Sequence, residues 1–130
     1  MSHKPIIVVD DNLINLKLAR VVLAKNDFQV YTATNATEAL ALLETIYPVL
    51  ILMDIQLPGM DGLTLTRQLK ADSRTHDIPI IALTAFAMKG DEQKAQEAGC
   101  DSYISKPIDV ETIVETVTSV IDSQKKKGVG

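Results

Sequence analysis

Tryptophan is absent from this 130-residue chain, and phenylalanine and tyrosine supply only five residues between them. A core built without large rings must be filled by aliphatic side chains, and the 46% hydrophobic content is enough to fill one. Cysteine occurs once, at Cys100. That excludes an intramolecular disulfide and any zinc site built from several thiolates, and it suits a reducing compartment. No stretch of eighteen consecutive apolar residues exists, and the apolar run at residues 6–9 is too short for a signal peptide. Basic charge is also scarce. Thirteen Lys+Arg stand against seventeen Asp+Glu, a net charge of −4. With Lys125, Lys126 and Lys127 set aside, ten basic residues face the same seventeen acids, and the body carries −7. Such a body repels polyanions, so neither nucleic acid nor an anionic membrane is an expected partner. The expectation is one cytoplasmic domain over residues 4–122, followed by a short basic, disordered tail at 123–130.

What the chain does have is alternation. Short apolar runs at residues 6–9, 28–33, 49–53, 78–83 and, more weakly, 102–104 are separated by segments with helical spacing. Ile14, Leu18, Val21 and Val22 make a first stripe, widened by Leu16, Ala19 and Leu23. Ala36, Ala39, Leu40 and Leu43 make a second, opened by Asn35 with Glu38 three residues on, a capping-box spacing. Leu63, Leu65 and Leu69 suggest a third, and Ala95 with Ala98 a weak, polar fourth closed by Gly99. The last is the clearest: Val110, Ile113, Val114, Val117, Val120 and Ile121 follow Asp109 as N-cap. Five strands alternating with five helices predict an α/β fold, a parallel sheet covered on both faces. Its common strand order is 2-1-3-4-5, with a switch point between strands 1 and 3.

Sites in such sheets form at the carboxyl ends of the strands. The first run ends in Asp10-Asp11, the third in Asp54, the fourth in Thr84-Ala85, and the fifth is followed by Lys106-Pro107. Three carboxylates, a hydroxyl and an ammonium would therefore share one rim. Carboxylates this crowded take up protons unless a cation sits among them. An all-oxygen donor set without His or Cys points to a hard divalent ion, Mg²⁺ or Mn²⁺. Lys106 and Thr84 suit a bound phosphoryl group, and a carboxylate can itself be the nucleophile that accepts one.

Taken together, Val8-Val9-Asp10-Asp11-Asn12, Leu52-Met53-Asp54-Ile55-Gln56-Leu57-Pro58-Gly59-Met60-Asp61-Gly62, Ile80-Ile81-Ala82-Leu83-Thr84-Ala85, Ala98-Gly99-Cys100-Asp101-Ser102-Tyr103 and Ser105-Lys106-Pro107 resemble the receiver domains of two-component response regulators. The likeness runs over residues 4–122, with a flavodoxin-like fold. The wording around Asp54 and after Thr84 is most similar to single-domain cell-cycle regulators. The resemblance implies that Asp54 accepts a phosphoryl group from a phosphohistidine. Asp11, Asp54 and the backbone carbonyl of Gln56 would hold Mg²⁺, with Asp10 acting through water. Lys106 and the backbone of Ala85 would contact the phosphoryl group, and the Lys106-Pro107 peptide would be cis. Thr84 and Tyr103 would form a two-residue switch that repacks the face of the fourth helix, fifth strand and fifth helix. Expected partners are a histidine kinase or histidine phosphotransfer protein and a downstream effector protein. The chain would be a monomer or weak homodimer, and it would catalyse nothing beyond its own phosphorylation and slow dephosphorylation.

Further expectations attach to single residues. Gly59 and Gly62 serve backbone geometry near the site. Phe86 limits water access to the phosphoryl group, and Met88-Lys89-Gly90 makes the fourth helix short or mobile. No segment after residue 124 could fold into an output domain, so output is expected through protein contacts. Two alternatives compete: the receiver portion of a longer regulator or hybrid kinase, and an aspartyl-nucleophile phosphatase. The second needs Asp-x-Asp, and Asp54-Ile55-Gln56 lacks the second acid. No glycine-rich nucleotide-binding motif follows a strand.

Overall fold

A computed structural model describes residues 4–84 and 89–129, with side chains over 4–84 and 92–124. The elements alternate strictly: β1 (Lys4–Val9), α1 (Leu13–Ala24), β2 (Phe28–Ala33), α2 (Ala36–Leu43), β3 (Leu50–Asp54), α3 (Gly62–Ala71), β4 (Ile80–Thr84), α4 (Lys89–Ala98), β5 (Ser102–Ser105) and α5 (Val110–Val129). All four strand pairings are parallel and the order is β2-β1-β3-β4-β5, as the alternation predicts. Central strands of such a sheet meet helices on both faces, so they cannot alternate polar and apolar residues. Every residue of β3 and β4 is buried accordingly.

Alternate side chains divide the core in two. Ile6, Val8, Leu50, Leu52, Ile81 and Leu83 face Leu16, Ala19 and Leu23 of α1 and Ile113, Val117 and Ile121 of α5. Ile7, Val9, Ile51, Met53 and Ile80 face Ala36 and Ala39 of α2 and Leu65 and Leu69 of α3. Among the described residues, every buried side-chain nitrogen and oxygen has a hydrogen-bond partner. No helix among them is long and apolar enough to cross a membrane.

The helix starts are capped by short acceptors. Asn12 accepts from Ile14 N (2.9 Å) and Asn15 N (3.3 Å). Asp61 accepts from Thr64 N at 2.8 Å, and Asp109 from Thr112 N at 3.2 Å. At α2 the expected box closes one residue early: Asn35 accepts from Glu38 N at 2.8 Å, but Glu38 reaches back to Thr34 N at 2.6 Å. Gly99 closes α4 at φ +107, a conformation that favours glycine, and a Cβ there would stand 2.9 Å from Lys70 Cγ.

Two expectations need correcting. In α1 the buried face is Leu16, Ala19, Val22 and Leu23, whereas Ile14 and Val21 are 78% and 44% exposed. The helix offers two apolar rows, and the one carrying Leu16, Ala19 and Leu23 packs on the sheet. β4 begins at Ile80 rather than residue 78, since Pro79 has no N–H to give a ladder. The α5 backbone runs from Val110 to Val129. For the fourth helix, α4 spans Lys89–Ala98 with Gly90 in its first turn, and Met88 lies outside the described residues.

Cys100 packs against the second cluster, and burial pushes its thiol up from the ordinary 9.0 to about 11, against the pull of the Thr66 hydroxyl. At pH 8 it then offers roughly a hundredfold less thiolate than an unperturbed thiol. Iodoacetamide should therefore label the folded protein far more slowly than the urea-unfolded chain. Equal rates would contradict this burial.

Candidate functional site

Backbone hydrogen bonds tie the carboxyl ends of neighbouring strands, β1 to β2, β3 to β4 and β4 to β5. Asp10 N donates to Ala33 O at 3.0 Å, Ile55 N to Leu83 O at 3.1 Å, and Lys106 N to Thr84 O at 2.7 Å. The register pairs Asp54 with Leu83 and Thr84 with Ser105. Residues from four distant stretches thereby share one rim. Asp10, Asp54 and Thr84 are 0%, 2% and 3% exposed.

Lys106 is the hub. Its Nζ lies 2.9 Å from Asp54 Oδ2 and 3.2 Å from Asp10 Oδ2. The other oxygens are served by main chain: Gln56 N donates to Asp54 Oδ1 and Asn12 N to Asp10 Oδ1, each at 2.9 Å. Burial raises the Asp54 carboxyl above its ordinary value, and the charge of Asp10 adds to this. The hydrogen bonds from Lys106 and Gln56 N pull the other way. For Lys106, burial pulls the ammonium down. The hydrogen bond and charge of Asp54, then those of Asp10, outweigh it and hold the pKa above its ordinary value.

Asp11, which is exposed, completes the acidic group. Oxygens of Asp10, Asp11 and Asp54 all lie within 4.8 Å of one another. One ammonium against three carboxylates leaves an excess of negative charge, and no His or Cys belongs to the group. Hard oxygen donors carrying surplus negative charge fit a hard divalent cation.

Gly62 enters the site through its backbone. A Cβ built on it would lie 2.0 Å from the carbonyl oxygen of Asp54. The start of α3 thus abuts the end of β3 directly, and Gly62 N donates to Ile55 O at 3.1 Å. Gly59 is needed for a different reason, its φ of +78. The Lys106-Pro107 peptide is cis, as the resemblance implies. Tyr103 stands on β5 opposite Ala82, 37% exposed. Its phenol faces Glu92 of α4, whose charge raises its pKa above the ordinary value. Ala85 and Phe86 lie outside the described residues.

Two contributors escape a reading of strand ends. The Asn15 amide donates to Asp10 Oδ2 at 3.2 Å, from inside α1. Away from the rim, Lys70 Nζ donates to Ile78 O (2.8 Å) and Asp101 Oδ2 (3.2 Å), while Asp101 accepts from Ile80 N (2.9 Å). That bridge ties α3 to the start of β4 and the α4–β5 turn.

A doubly wound sheet whose switch point carries buried, lysine-paired aspartates defines a class, and comparison with known proteins gives its family. The chain belongs to the response regulator receiver domains, matched over residues 6–118. It is 46% identical over 118 residues to the polar-differentiation response regulator DivK of Brucella anthropi, covering 91% of this chain and 96% of that one. The CheY-like receiver domain protein of Methanospirillum hungatei superposes with a TM-score of 0.88 at 30% identity, covering 97% of this chain and 99% of that one. The receiver domain of the sensor histidine kinase PA1611 from Pseudomonas aeruginosa gives 0.84 at 30% identity, covering 93% and 99%, and holds a magnesium ion in its active-site cleft.

Proposed function

We propose that this DivK-like receiver is a phosphorylation-operated switch of a two-component phosphorelay. A histidine kinase or histidine phosphotransfer protein supplies the phosphoryl group, and the group lands on Asp54. An Asp54 oxygen forms the new O–P bond while the N–P bond to the donor imidazole breaks, its electron pair returning to the ring nitrogen. The observation that carries this reading is the Lys106 ammonium, held 2.9 Å from Asp54 and aimed into a rim of three carboxylates. A cation placed beside the acceptor oxygen stabilises the charge of the transferring group without reorganising.

Asp10, Asp11, Asp54 and the carbonyl of Gln56 would hold Mg²⁺ or Mn²⁺. When bound, the ion neutralises phosphoryl oxygens and offsets the repulsion among the carboxylates. Thr84 and the Ala85 backbone would contact the phosphoryl group, with Tyr103 following Thr84 inward. That movement alters the face of α4, β5 and α5, which effector proteins read as a shifted equilibrium. The protein acts in the cytoplasm as a monomer or weak homodimer, modifies only itself, and binds neither nucleic acid nor membrane.

Incubation with a small acyl phosphate, with and without Mg²⁺, tests the reading by intact mass. The expected product is one acid-stable, base-labile phosphoryl addition that requires Mg²⁺ and is lost in Asp54→Ala. An addition that survives Asp54→Ala sinks the assignment. If acyl phosphate and a phosphorylated histidine protein both leave the wild type unlabelled, the switch reading fails.

A further inference from the structure

We propose that Asn15 is a positioning residue for the acidic rim. Its side-chain amide holds Asp10 in the orientation that serves the divalent ion, and this role rests on the metal-dependent reading above. Asp10 is fully buried, and a buried carboxylate must be hydrogen-bonded at both oxygens. Oδ1 is fixed by Asn12 N at 2.9 Å, a main-chain donor that side-chain replacement does not remove. Oδ2 has two donors, Lys106 Nζ and Asn15 Nδ2, each at 3.2 Å.

Those two donors are not equivalent. Lys106 is shared and sits closer to Asp54, at 2.9 Å. When Asp54 becomes an acyl phosphate, its charge moves outward onto the phosphoryl oxygens, and the ammonium is committed to them. Asn15 is then the side-chain donor that remains on Asp10 Oδ2. A neutral amide has a second advantage. It orients the carboxylate without cancelling the negative charge that attracts a divalent cation, whereas an ammonium does both at once.

Nor is the Asn15 side chain occupied by helix capping. The first turn of α1 is capped by Asn12 Oδ1, which takes both Ile14 N and Asn15 N. Asn15 therefore donates outward from a turn that is already satisfied. Removing its amide leaves the helix start intact, and alanine is the stronger helix former.

The test is Mg²⁺ affinity by isothermal titration calorimetry on the full chain, for wild type, Asn15→Ala and Asn15→Gln. Asn15→Ala is expected to raise the dissociation constant about tenfold, the usual effect of losing a hydrogen-bond partner behind a metal ligand. Asn15→Gln, which keeps an amide one methylene further out, should recover part of that loss. Thermal midpoints in EDTA should stay within about 3 °C of wild type. Unchanged affinity in Asn15→Ala overturns the role. So does an affinity loss accompanied by a large fall of the EDTA midpoint, which would mark fold damage. Wild-type protein that binds no Mg²⁺ overturns the metal reading itself, and this role with it.

Discussion

Alanine in place of Gly62 is expected to lower the thermal midpoint by roughly 10 °C and to disturb Asp54. The new methyl carbon would stand 2.0 Å from the Asp54 carbonyl oxygen and 2.8 Å from both Asp54 C and Ile55 Cα. All three are backbone atoms, so no rotamer change relieves the overlap. Either the start of α3 or the end of β3 must move. α3 is held by the Asp61 cap and by Leu65 and Leu69 in the core; β3 is buried throughout. Overpacking against so rigid a surround costs about 3 kcal/mol. The displaced element carries Asp54, the proposed phosphoryl acceptor, so acyl-phosphate labelling should slow as well. A calorimetric scan showing an unchanged midpoint would contradict the close approach.

Replacing Lys106 with methionine should have the other large effect, and its size should depend on pH and on metal. The substitution keeps most of the stem but strands two carboxylates that are 0% and 2% exposed. Removing one member of a buried pair costs about 3 kcal/mol or more. Burial already raises the Asp54 carboxyl, and Lys106 is its largest opposing influence, so the substitution lets it rise further. A raised carboxyl holds its proton more tightly in the folded state than in the unfolded one. Its contribution is therefore favourable at low pH and is lost as pH climbs above the ordinary 3.8. The stability deficit of Lys106→Met should be smallest near about pH 4 and largest at neutrality, with partial recovery in Mg²⁺. In the wild type the raised Lys106 adds a stabilisation that is complete below the ordinary 10.5 and lost as pH passes its folded value. Phosphoryl uptake should fall on the order of a hundredfold. Urea melts across pH in EDTA would decide it: equal stability of the two proteins at pH 7 would mean that Lys106 is not the counter-ion.

The sheet was legible because buried parallel strands write themselves as continuous apolar runs, and residues 49–53 are such a run. The strand-end polar residues were legible for the same reason: Asp54 closes a run of buried side chains, which is an expensive place for a charge. α4 was faint because, among its described side chains, only Ala95 and Ala98 turn inward, and alanine gives a helical period little contrast. The phase of α1 is hard to read because two apolar rows compete there, and which one is buried depends on its packing against β1, β3 and α5. Asn15, Gly62 and Lys70 act through partners that no local pattern exposes. Asn15 meets a carboxylate from the preceding turn, Gly62 is defined by space, and Lys70 reaches Asp101 across thirty-one positions.

The rim that gathers Asp10, Asp54, Thr84 and Lys106 is tied by main-chain hydrogen bonds. Among the twenty residue types only proline lacks the N–H those bonds need. The placement of those side chains, though not their chemistry, is therefore set by the backbone. The magnesium-holding receiver from Pseudomonas aeruginosa shares that backbone, with a TM-score of 0.84 at 30% identity.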